Sequence, residues 1–190
     1  MLFGLIENKI LGGFWNVKQN YSGSKGIKKK ILLLVHKAYQ YETGSYLPLH
    51  IKIAGPMNLP HGNFGVFISG DSVIGRNCTM FQQVTIGSNM LVDSKTMGAP
   101  TIGDNCIIGV GAKIIGKLSI GNNCRIGANC VVTKDIPDNC TVVLSSPIII
   151  QKENIINRIY MKHKEGWGYS ENGTFVKERD LEILKKLNNR

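Results

Sequence analysis

Residues 101–132 read TIGDNCIIGVGAKIIGKLSIGNNCRIGANCVV, and an isoleucine or valine returns at every sixth position of this stretch. The aliphatic positions are Ile102, Ile108, Ile114, Ile120, Ile126 and Val132. An upstream run keeps the same spacing through Ile68, Ile74, Met80 and Ile86. Internal repetition at a fixed period is the signature of a stacked repeat architecture, here with a period of six residues.

A second inward position stands four residues after each aliphatic one. It is occupied by Ser72, Cys78, Val84, Met90, Cys106, Ala112, Leu118, Cys124, Cys130 and Ile136. Each of these lies two residues before the next aliphatic position, and residues two apart in an extended segment share a face. Each unit is therefore predicted to be a short strand followed by a corner, and three units close one triangular coil.

The residues between the strands are typical of corners. Glycine follows most aliphatic positions, and asparagine or aspartate comes next, as in Gly103-Asp104-Asn105 and Gly121-Asn122-Asn123. These residue types tolerate left-handed backbone angles and tight turns. The pattern extends over roughly residues 50–148 and predicts an all-β core for that range.

The cysteines fit the same pattern. Cys78, Cys106, Cys124 and Cys130 all stand at the second inward position, where a thiol acts as a compact hydrophobe. A zinc site would need paired spacings such as CxxC or about three converging histidines, and the coils offer neither. We therefore expect no metal, and Cys140 receives no role.

Two irregularities interrupt the period. Sixteen residues separate Ile86 from Ile102, where twelve would keep the coils intact, so Ser88 to Pro100 should leave the coil as an excursion that is either functional or a tolerated insertion. Upstream, the fifteen residues from Ile53 to Ile68 are not a multiple of six, and His61 lies in that stretch. From the residues alone, a structural and a catalytic role for His61 are equally favoured.

The flanks are basic and differ from the core. Of the net charge of +10, residues 1–52 contribute eight lysines against two acids, whereas residues 53–150 are nearly neutral. Helices are predicted over 26–41, 151–164 and 176–188, which divides the chain into a helical flank (1–49), a β-helix (50–148) and a helical tail (149–190). His36, His50 and His163 are expected to be structural or solvated.

Composition also limits the partners and the compartment. No basic stripe interleaved with aromatic residues is present, so nucleic-acid binding is not expected. The basic helix 26–41 allows a weak association with a membrane surface, although a solvated or packed helix is favoured. No apolar run approaches the roughly 20 residues of a bilayer span, and a cytoplasmic location is expected.

Three segments carry a family resemblance: 61–68 (HGNFGVFI), 82–87 (QQVTIG) and 108–116 (IGVGAKIIG). They resemble serine acetyltransferases within the hexapeptide-repeat family. The resemblance implies a left-handed parallel β-helix, acetyl-CoA as the co-substrate and His61 as the general base. It also implies a homotrimer, because coenzyme contacts in similar enzymes run along a groove between two prisms.

The resemblance also implies binding residues. Those for the coenzyme are Gly87, Gly111, Ala112, Gly127, Ala128, Thr133, Lys134, Ser145, Ser146 and Pro147. Those for the acceptor are Asn63, Gln82 and Asp93. The usual Gly-x-Pro-Ala loop is replaced by residues 145–148 (SSPI).

Two departures from serine acetyltransferases bear on the acceptor. Where serine acetyltransferases have His-Pro in the excursion, this chain has Ala99-Pro100. Where they have an acid upstream of the base, it has Tyr46. The short, basic-flanked chain resembles acetyltransferases of capsule and exopolysaccharide gene clusters. The sequence therefore favours O-acetylation of a sugar or polysaccharide hydroxyl, with a divergent serine acetyltransferase and a non-catalytic β-helix scaffold as alternatives.

Overall fold

A computed structural model describes residues 2–145, 149–151 and 157–189 of the chain. These fall into two compact units, Met1–Ser146 and Pro147–Arg190. The first unit contains the repeats and the residues that precede them. The sequence-based boundaries near residues 49 and 148 stay predictions.

Twelve short strands form the repeat region. They are β1 (Lys52–Ile53), β2 (Phe67–Ile68), β3 (Val73–Ile74), β4 (Thr79–Met80), β5 (Thr85–Gly87), β6 (Thr101–Ile102), β7 (Ile107–Ile108), β8 (Lys113–Ile115), β9 (Ser119–Ile120), β10 (Arg125–Ile126), β11 (Val131–Val132) and β12 (Thr141–Val142). All pair in parallel in three sheets: face A (β2, β5, β8, β11), face B (β1, β3, β6, β9) and face C (β4, β7, β10, β12). The predicted parallel β-helix is thus confirmed, while its left-handed winding stays an implication of the resemblance.

Identical positions stack in register along each face. On face A, Ile68 pairs with Ile86, Ile86 with Ile114, and Ile114 with Val132. These residues are at most 3% exposed, as are the thiols of the second inward position. The repeat therefore forms the core from its own inward side chains, because each coil covers the apolar side chains of the coil below it.

Asparagine side chains hold the corners between faces B and C. Asn77, Asn105, Asn123 and Asn139 adopt positive φ angles of 54° to 60°. Asn77 Nδ2 donates to Asn105 Oδ1 at 2.8 Å, and Asn123 Nδ2 donates to Asn139 Oδ1 at 3.1 Å. The amide group both tolerates the left-handed backbone and pairs with the corner of the next coil.

The excursion lies between Gly87 and Thr101 as expected, but it contains more surplus residues than the spacing indicated. Ile86 lies on face A and Ile102 on face B, so one six-residue step, not two, joins them, and ten of the sixteen residues are extra. The backbone groups of Asn89 and Gly98 exchange two hydrogen bonds of 2.8 Å. Lys117 N also donates to Thr96 O at 2.8 Å, so the excursion is anchored to the next coil.

Helices cover the first coil. They are α1 (Leu2–Leu5), a π-helical turn (Ile6–Ile10), α2 (Gly13–Gly23) and α3 (Gly26–Thr43), of which only α3 was expected. Gly44, at φ 57°, ends α3. Lys18 Nζ donates to Leu49 O at 2.8 Å and to Ile51 O at 2.7 Å, and burial lowers the pKa of this ammonium group. The lysine thus ties α2 to the first coil.

A buried histidine and glutamate join the helices to each other. His36 Nδ1 lies 3.0 Å from Glu7 Oε2, and His36 Nε2 lies 2.7 Å from Leu47 O. Both side chains are at most 1% exposed. The Leu47 carbonyl only accepts, so His36 Nε2 donates to it, and a single proton joins His36 Nδ1 to the Glu7 carboxyl group. His36 is therefore structural.

The second unit differs from its prediction. Its described residues form an antiparallel sheet of β13 (Tyr160–His163), β14 (Gly166–Glu171) and β15 (Thr174–Lys177), followed by α4 (Leu181–Asn188). The expected helix over 151–164 is wrong where it can be compared, at Tyr160–His163, and residues 152–156 lie outside the described residues. Asn172 and Gly173, both at positive φ, make the hairpin turn between β14 and β15. Asp180 caps α4, which explains why the helix begins later than residue 176.

A membrane span can be tested on the described residues. No helix among them is long and apolar enough to cross a bilayer.

The inward thiols lead to the first prediction. Iodoacetamide should alkylate Cys140, which is half-buried, well before the four fully buried cysteines. Peptide mapping by mass spectrometry at successive times measures the order. Rapid labelling of Cys78, Cys106, Cys124 and Cys130 in native protein would contradict their burial.

The buried pair of His36 and Glu7 leads to the second prediction. His36→Leu should lower the free energy of unfolding by about 3–5 kcal/mol, because it leaves the Glu7 carboxylate buried without a partner. Urea unfolding measures this change, with the exposed neighbour Lys37→Ala as the control. The double variant Glu7→Leu/His36→Leu should recover part of the loss, and a double variant less stable than His36→Leu would refute the pairing.

Candidate active site

The turn that contains His61 lies where the chain passes from face C to face A. Asn58 pairs with Thr79 on face C, and Phe67 begins β2 on face A. Nine residues make this step instead of six, so the turn bulges from the corner. Gly62 and Gly65 adopt φ angles of 72° and 62°, in the left-handed region that glycine tolerates.

His61 is exposed but held in one orientation. Its Nδ1 lies 2.7 Å from Oε1 of Gln82, which occupies the same corner one coil further along. Its ring meets Phe81 edge to face, with centroids 5.6 Å apart. An amide oxygen only accepts hydrogen bonds, so Nδ1 carries the ring proton and donates a hydrogen bond to Gln82. The Nε2 lone pair is then free to take a proton from a substrate.

Gln82 therefore has a contact that sequence reasoning did not assign to it. The sequence analysis placed it among the acceptor-binding residues, whereas the structure joins it to His61. The backbone carbonyl of Gln82 accepts from Gly111 N at 3.0 Å, which fixes the glutamine on the next coil. A glutamine one repeat beyond the histidine turn was the signal that could have revealed this pair.

Tyr46 takes the position at which the resemblance places an acid. It lies on face A, where it pairs with Phe67, and its side chain is 49% exposed. Among the described residues, no hydrogen bond joins it to His61. The partner of the histidine in this chain is thus a neutral amide rather than a carboxylate.

Asn63, two residues after the histidine, is only 2% exposed. Its Nδ2 donates to Ser45 Oγ at 3.0 Å. Its Oδ1 is buried and has no partner among the described residues. Asp93, the third predicted acceptor residue, is exposed in the excursion, and no described hydrogen bond connects it to His61.

The predicted coenzyme residues occupy two edges of face A. Gly111 and Ala128 lie at the same corner as Gln82 in successive coils. At the opposite edge, Gly87 ends β5, and Thr133 and Lys134 follow β11. Ala128, Thr133, Lys134 and Ser145 are exposed, and Gly87 and Gly127 are half-buried. Ser146 and Pro147 lie outside the described residues.

Ala112 has a different environment from the other predicted coenzyme residues. Its side chain is fully buried in the core. The N–H groups of Gly111 and Ala112 donate to Gln82 O and Gly109 O. A coenzyme contact at this corner would therefore involve the backbone rather than the Ala112 methyl group, and it stays a prediction.

The other histidines lie elsewhere. The His50 ring packs on Gly70, at the other edge of face A. A Cβ atom added to Gly70 would lie only 2.4 Å from His50 Nε2. His163 belongs to the second unit. Within the described ranges, no group of three His, Cys, Asp or Glu residues is placed to hold a metal ion.

Two cavities lie between the helices and the first coil. The larger, of about 530 Å³, is bounded by residues of α3 and by Tyr46, His50 and Phe67. The smaller, of about 240 Å³, includes Trp15, Gly62 and Asn63, and so reaches the histidine turn. Sequence reasoning missed both, because it gave residues 1–25 no fold.

Known proteins share this architecture. Residues 99–134 match the family described as bacterial transferase hexapeptide (six repeats). A serine acetyltransferase of Bacillus pumilus is 35% identical over 135 residues, which are 69% of this chain and 61% of that protein. The chain thus carries the hexapeptide repeat of bacterial transferases and has serine acetyltransferase homologues, but it spans less than two thirds of their length.

Solved structures give the same result. Serine acetyltransferase isoform 3 of Entamoeba histolytica, in complex with cysteine, is 31% identical with a TM-score of 0.58, over 74% of this chain and 50% of that one. A serine acetyltransferase in complex with CoA is 25% identical with a TM-score of 0.53, over 67% of this chain and 49% of that one. The likeness rests on about half of each neighbour.

The hydrogen bond between His61 and Gln82 leads to the third prediction. Long-range ¹H–¹⁵N correlation spectra at a pH where His61 is neutral should show the proton on Nδ1. Gln82→Leu removes the acceptor and should shift the ring toward the Nε2–H tautomer. The spectrum of His163 should be the same in both proteins. An Nε2–H tautomer in the unaltered chain would contradict the assignment.

Proposed function

We propose that this chain is an acetyl-CoA-dependent O-acetyltransferase in which His61 is the general base. The observation that supports it most is the 2.7 Å contact of His61 Nδ1 with Gln82, which leaves Nε2 free at an exposed corner. The serine acetyltransferase homologues add an acyltransferase precedent for the same repeat fold.

The reaction follows from the position of the free lone pair. His61 Nε2 takes the proton of the acceptor hydroxyl as that oxygen attacks the thioester carbon of acetyl-CoA. The tetrahedral intermediate then breaks the C–S bond, and the CoA sulfur leaves with the proton that His61 returns. Gln82 stabilises the imidazolium only through a neutral hydrogen bond, so its main effect is to orient the ring.

The coenzyme is proposed to bind between two prisms, with the edge of face A that holds Gly87 and Lys134 in one copy beside the edge that holds Gln82 and Ala128 in the other. Small residues such as Gly87 and Ala128 allow a close approach, and the N–H of Gly87 is proposed to stabilise the oxyanion. Lys134 offers a cation for a CoA phosphate. A groove between two prisms would complete this site, so we also propose a homotrimer, with the reaction located in the cytoplasm.

Serine is the acceptor that the homologues favour, since those compared are named serine acetyltransferases. A sugar hydroxyl is the second candidate. Binding the small zwitterion serine requires charged partners for its carboxylate and amine. In the excursion, Met97, Gly98 and Ala99 supply no such group, and its charged side chains, Asp93 and Lys95, have no described hydrogen bond to His61, which favours an uncharged acceptor over serine.

The fourth prediction tests the base. His61→Ala should lower turnover by ~10²-fold or more, because proton transfer by a positioned side chain contributes about that factor. Its thermal midpoint should stay nearly unchanged, since the side chain is exposed. Thiol release from acetyl-CoA measures the rate, and His163→Ala is the matched histidine control. Full activity of His61→Ala would remove His61 from the mechanism.

The acceptor is identified by the same assay with different hydroxyl compounds. Serine at millimolar concentration is compared with simple sugars and nucleotide sugars. A saturable rate with serine that exceeds every sugar would establish a serine acetyltransferase. Failure of the chain to bind CoA at all would favour the non-catalytic scaffold instead.

A further inference from the structure

Helix α3 has a second apolar face that its neighbours do not cover. Its packed face consists of the four buried residues Leu32, His36, Tyr39 and Thr43. Its other large apolar side chains include four that are 53% to 90% exposed: Ile27, Ile31, Leu34 and Tyr41. A helix that served only to cover the first coil would need the packed face alone. The exposed side chains are therefore available to a partner.

The four exposed side chains share one side of the helix. They follow one another at intervals of four, three and seven residues, which is the spacing of a single stripe on an α-helix. With about 3.6 residues per turn, this stripe points away from the packed face. A rise of about 1.5 Å per residue makes it roughly 21 Å long. We call these four residues the α3 stripe.

Lysines border the α3 stripe on both sides. Lys30 and Lys37 lie along one border, each four residues before a member of the stripe, and Lys28 lies along the other, three residues before one. Lys28 and Lys37 are exposed, and Lys30 is half-buried. Neither of the two ion pairs among the described residues includes a lysine. The charge of these ammonium groups is thus available to the same partner.

Both acids of the N-terminal helices are engaged in internal contacts. Residues 1–52 contain eight lysines and two acids. Glu7 is buried against His36, and Glu42 accepts from Phe3 N at 3.1 Å and from Gly4 N at 2.9 Å. The surface around the α3 stripe is therefore cationic.

An apolar stripe with cationic borders defines the kind of partner. A second copy of α3 would bring lysines against lysines, and like charges repel each other. The surface of an anionic lipid bilayer has the complementary character, because its phosphate groups attract lysines and its acyl boundary takes up apolar side chains. A helix of this kind lies in the plane of the interface.

We propose that the α3 stripe is a docking surface for an anionic lipid bilayer, with its apolar side chains at the boundary of head groups and acyl chains and its bordering lysines at lipid phosphates. The sequence favoured a solvated or packed helix, and the exposure of the stripe reverses that preference. The contact proposed between prisms uses residues of face A, none of which belongs to α3. Membrane docking is therefore separate from the proposed O-acetyl transfer.

Flotation with lipid vesicles tests the docking surface. The full chain is mixed with vesicles of phosphatidylcholine, or of phosphatidylcholine and phosphatidylglycerol in equal parts, and the bound protein is measured after centrifugation. Binding should require phosphatidylglycerol and should weaken when salt is raised to ~0.5 M, which screens the lysines. A chain that does not float with the anionic vesicles would overturn the proposal.

An apolar double variant separates docking from the general attraction of a basic protein. Ile31→Gln/Leu34→Gln keeps the net charge and should lower binding to the anionic vesicles ~10-fold or more, because two apolar side chains no longer enter the bilayer. Ile159→Gln/Leu181→Gln, at exposed positions of the second unit, is the control and should bind like the unaltered chain. Equal binding by Ile31→Gln/Leu34→Gln would refute the role of the stripe.

The lysines are tested with a second double variant. Lys28→Gln/Lys37→Gln should lower binding ~10-fold or more, because lysines close to an anionic surface contribute most of the electrostatic attraction. Lys162→Gln/Lys164→Gln makes the same change of net charge at exposed positions of the second unit and should have a much smaller effect. Equal losses in the two variants would show that binding follows net charge alone, which would contradict docking through α3.

Sedimentation velocity without lipid tests the other occupant, a second copy of the chain. Ile31→Gln/Leu34→Gln should sediment like the unaltered chain, because substitutions at exposed positions leave the fold intact. A lower sedimentation coefficient that corresponds to the loss of a subunit would identify another copy as the occupant of the stripe and overturn the proposal.

Discussion

The stacking of identical side chains at six-residue intervals is the constraint on which the rest of this molecule depends. Each inward isoleucine of face A lies against an isoleucine or valine of the next coil, and the backbone ladders follow the same register. A shift of one residue would move every inward side chain to the surface. The coils are therefore rigid, and departures from the period must be placed outside them.

The candidate site uses such a departure. Three additional residues before β2 lift His61 from the corner, and the regular coil above presents Gln82 to its ring. A flexible loop alone would not keep the His61 Nε2 atom in one direction. The short hydrogen bond from His61 to Gln82, one coil further along, fixes that direction. Rigid coils with irregular corners thus combine a fixed base with room for substrates.

Much of the fold could be predicted from the sequence because it depends on residues that are close together in the chain. The period, the inward thiols and the asparagine corners each follow from a few neighbouring residues, and all are seen in the structure. The number of surplus residues in the excursion was misjudged because spacing alone does not reveal which face follows Ile86. The strand Tyr160–His163 was mistaken for helix because pairing with β14, a tertiary interaction, decides its conformation.

The site was only partly predictable for the same reason. His61 was singled out from a broken period and a family resemblance, but its contact with Gln82 depends on stacking between coils. The pairing of His36 with Glu7 joins residues 29 positions apart, and no local sequence pattern predicts it. Trp15 and Asn63 meet at one cavity only after the N-terminal helices dock on the first coil.

The central claim is that His61 is the base, and chemical rescue tests it most directly. His61→Gly would leave a space at the corner that free imidazole can occupy, with Gln82 still present. The account predicts that thiol release, nearly absent in this variant, returns in a saturable manner as imidazole is added, while the unaltered chain does not respond. Turnover of His61→Gly equal to that of the unaltered chain in the absence of imidazole would contradict the account.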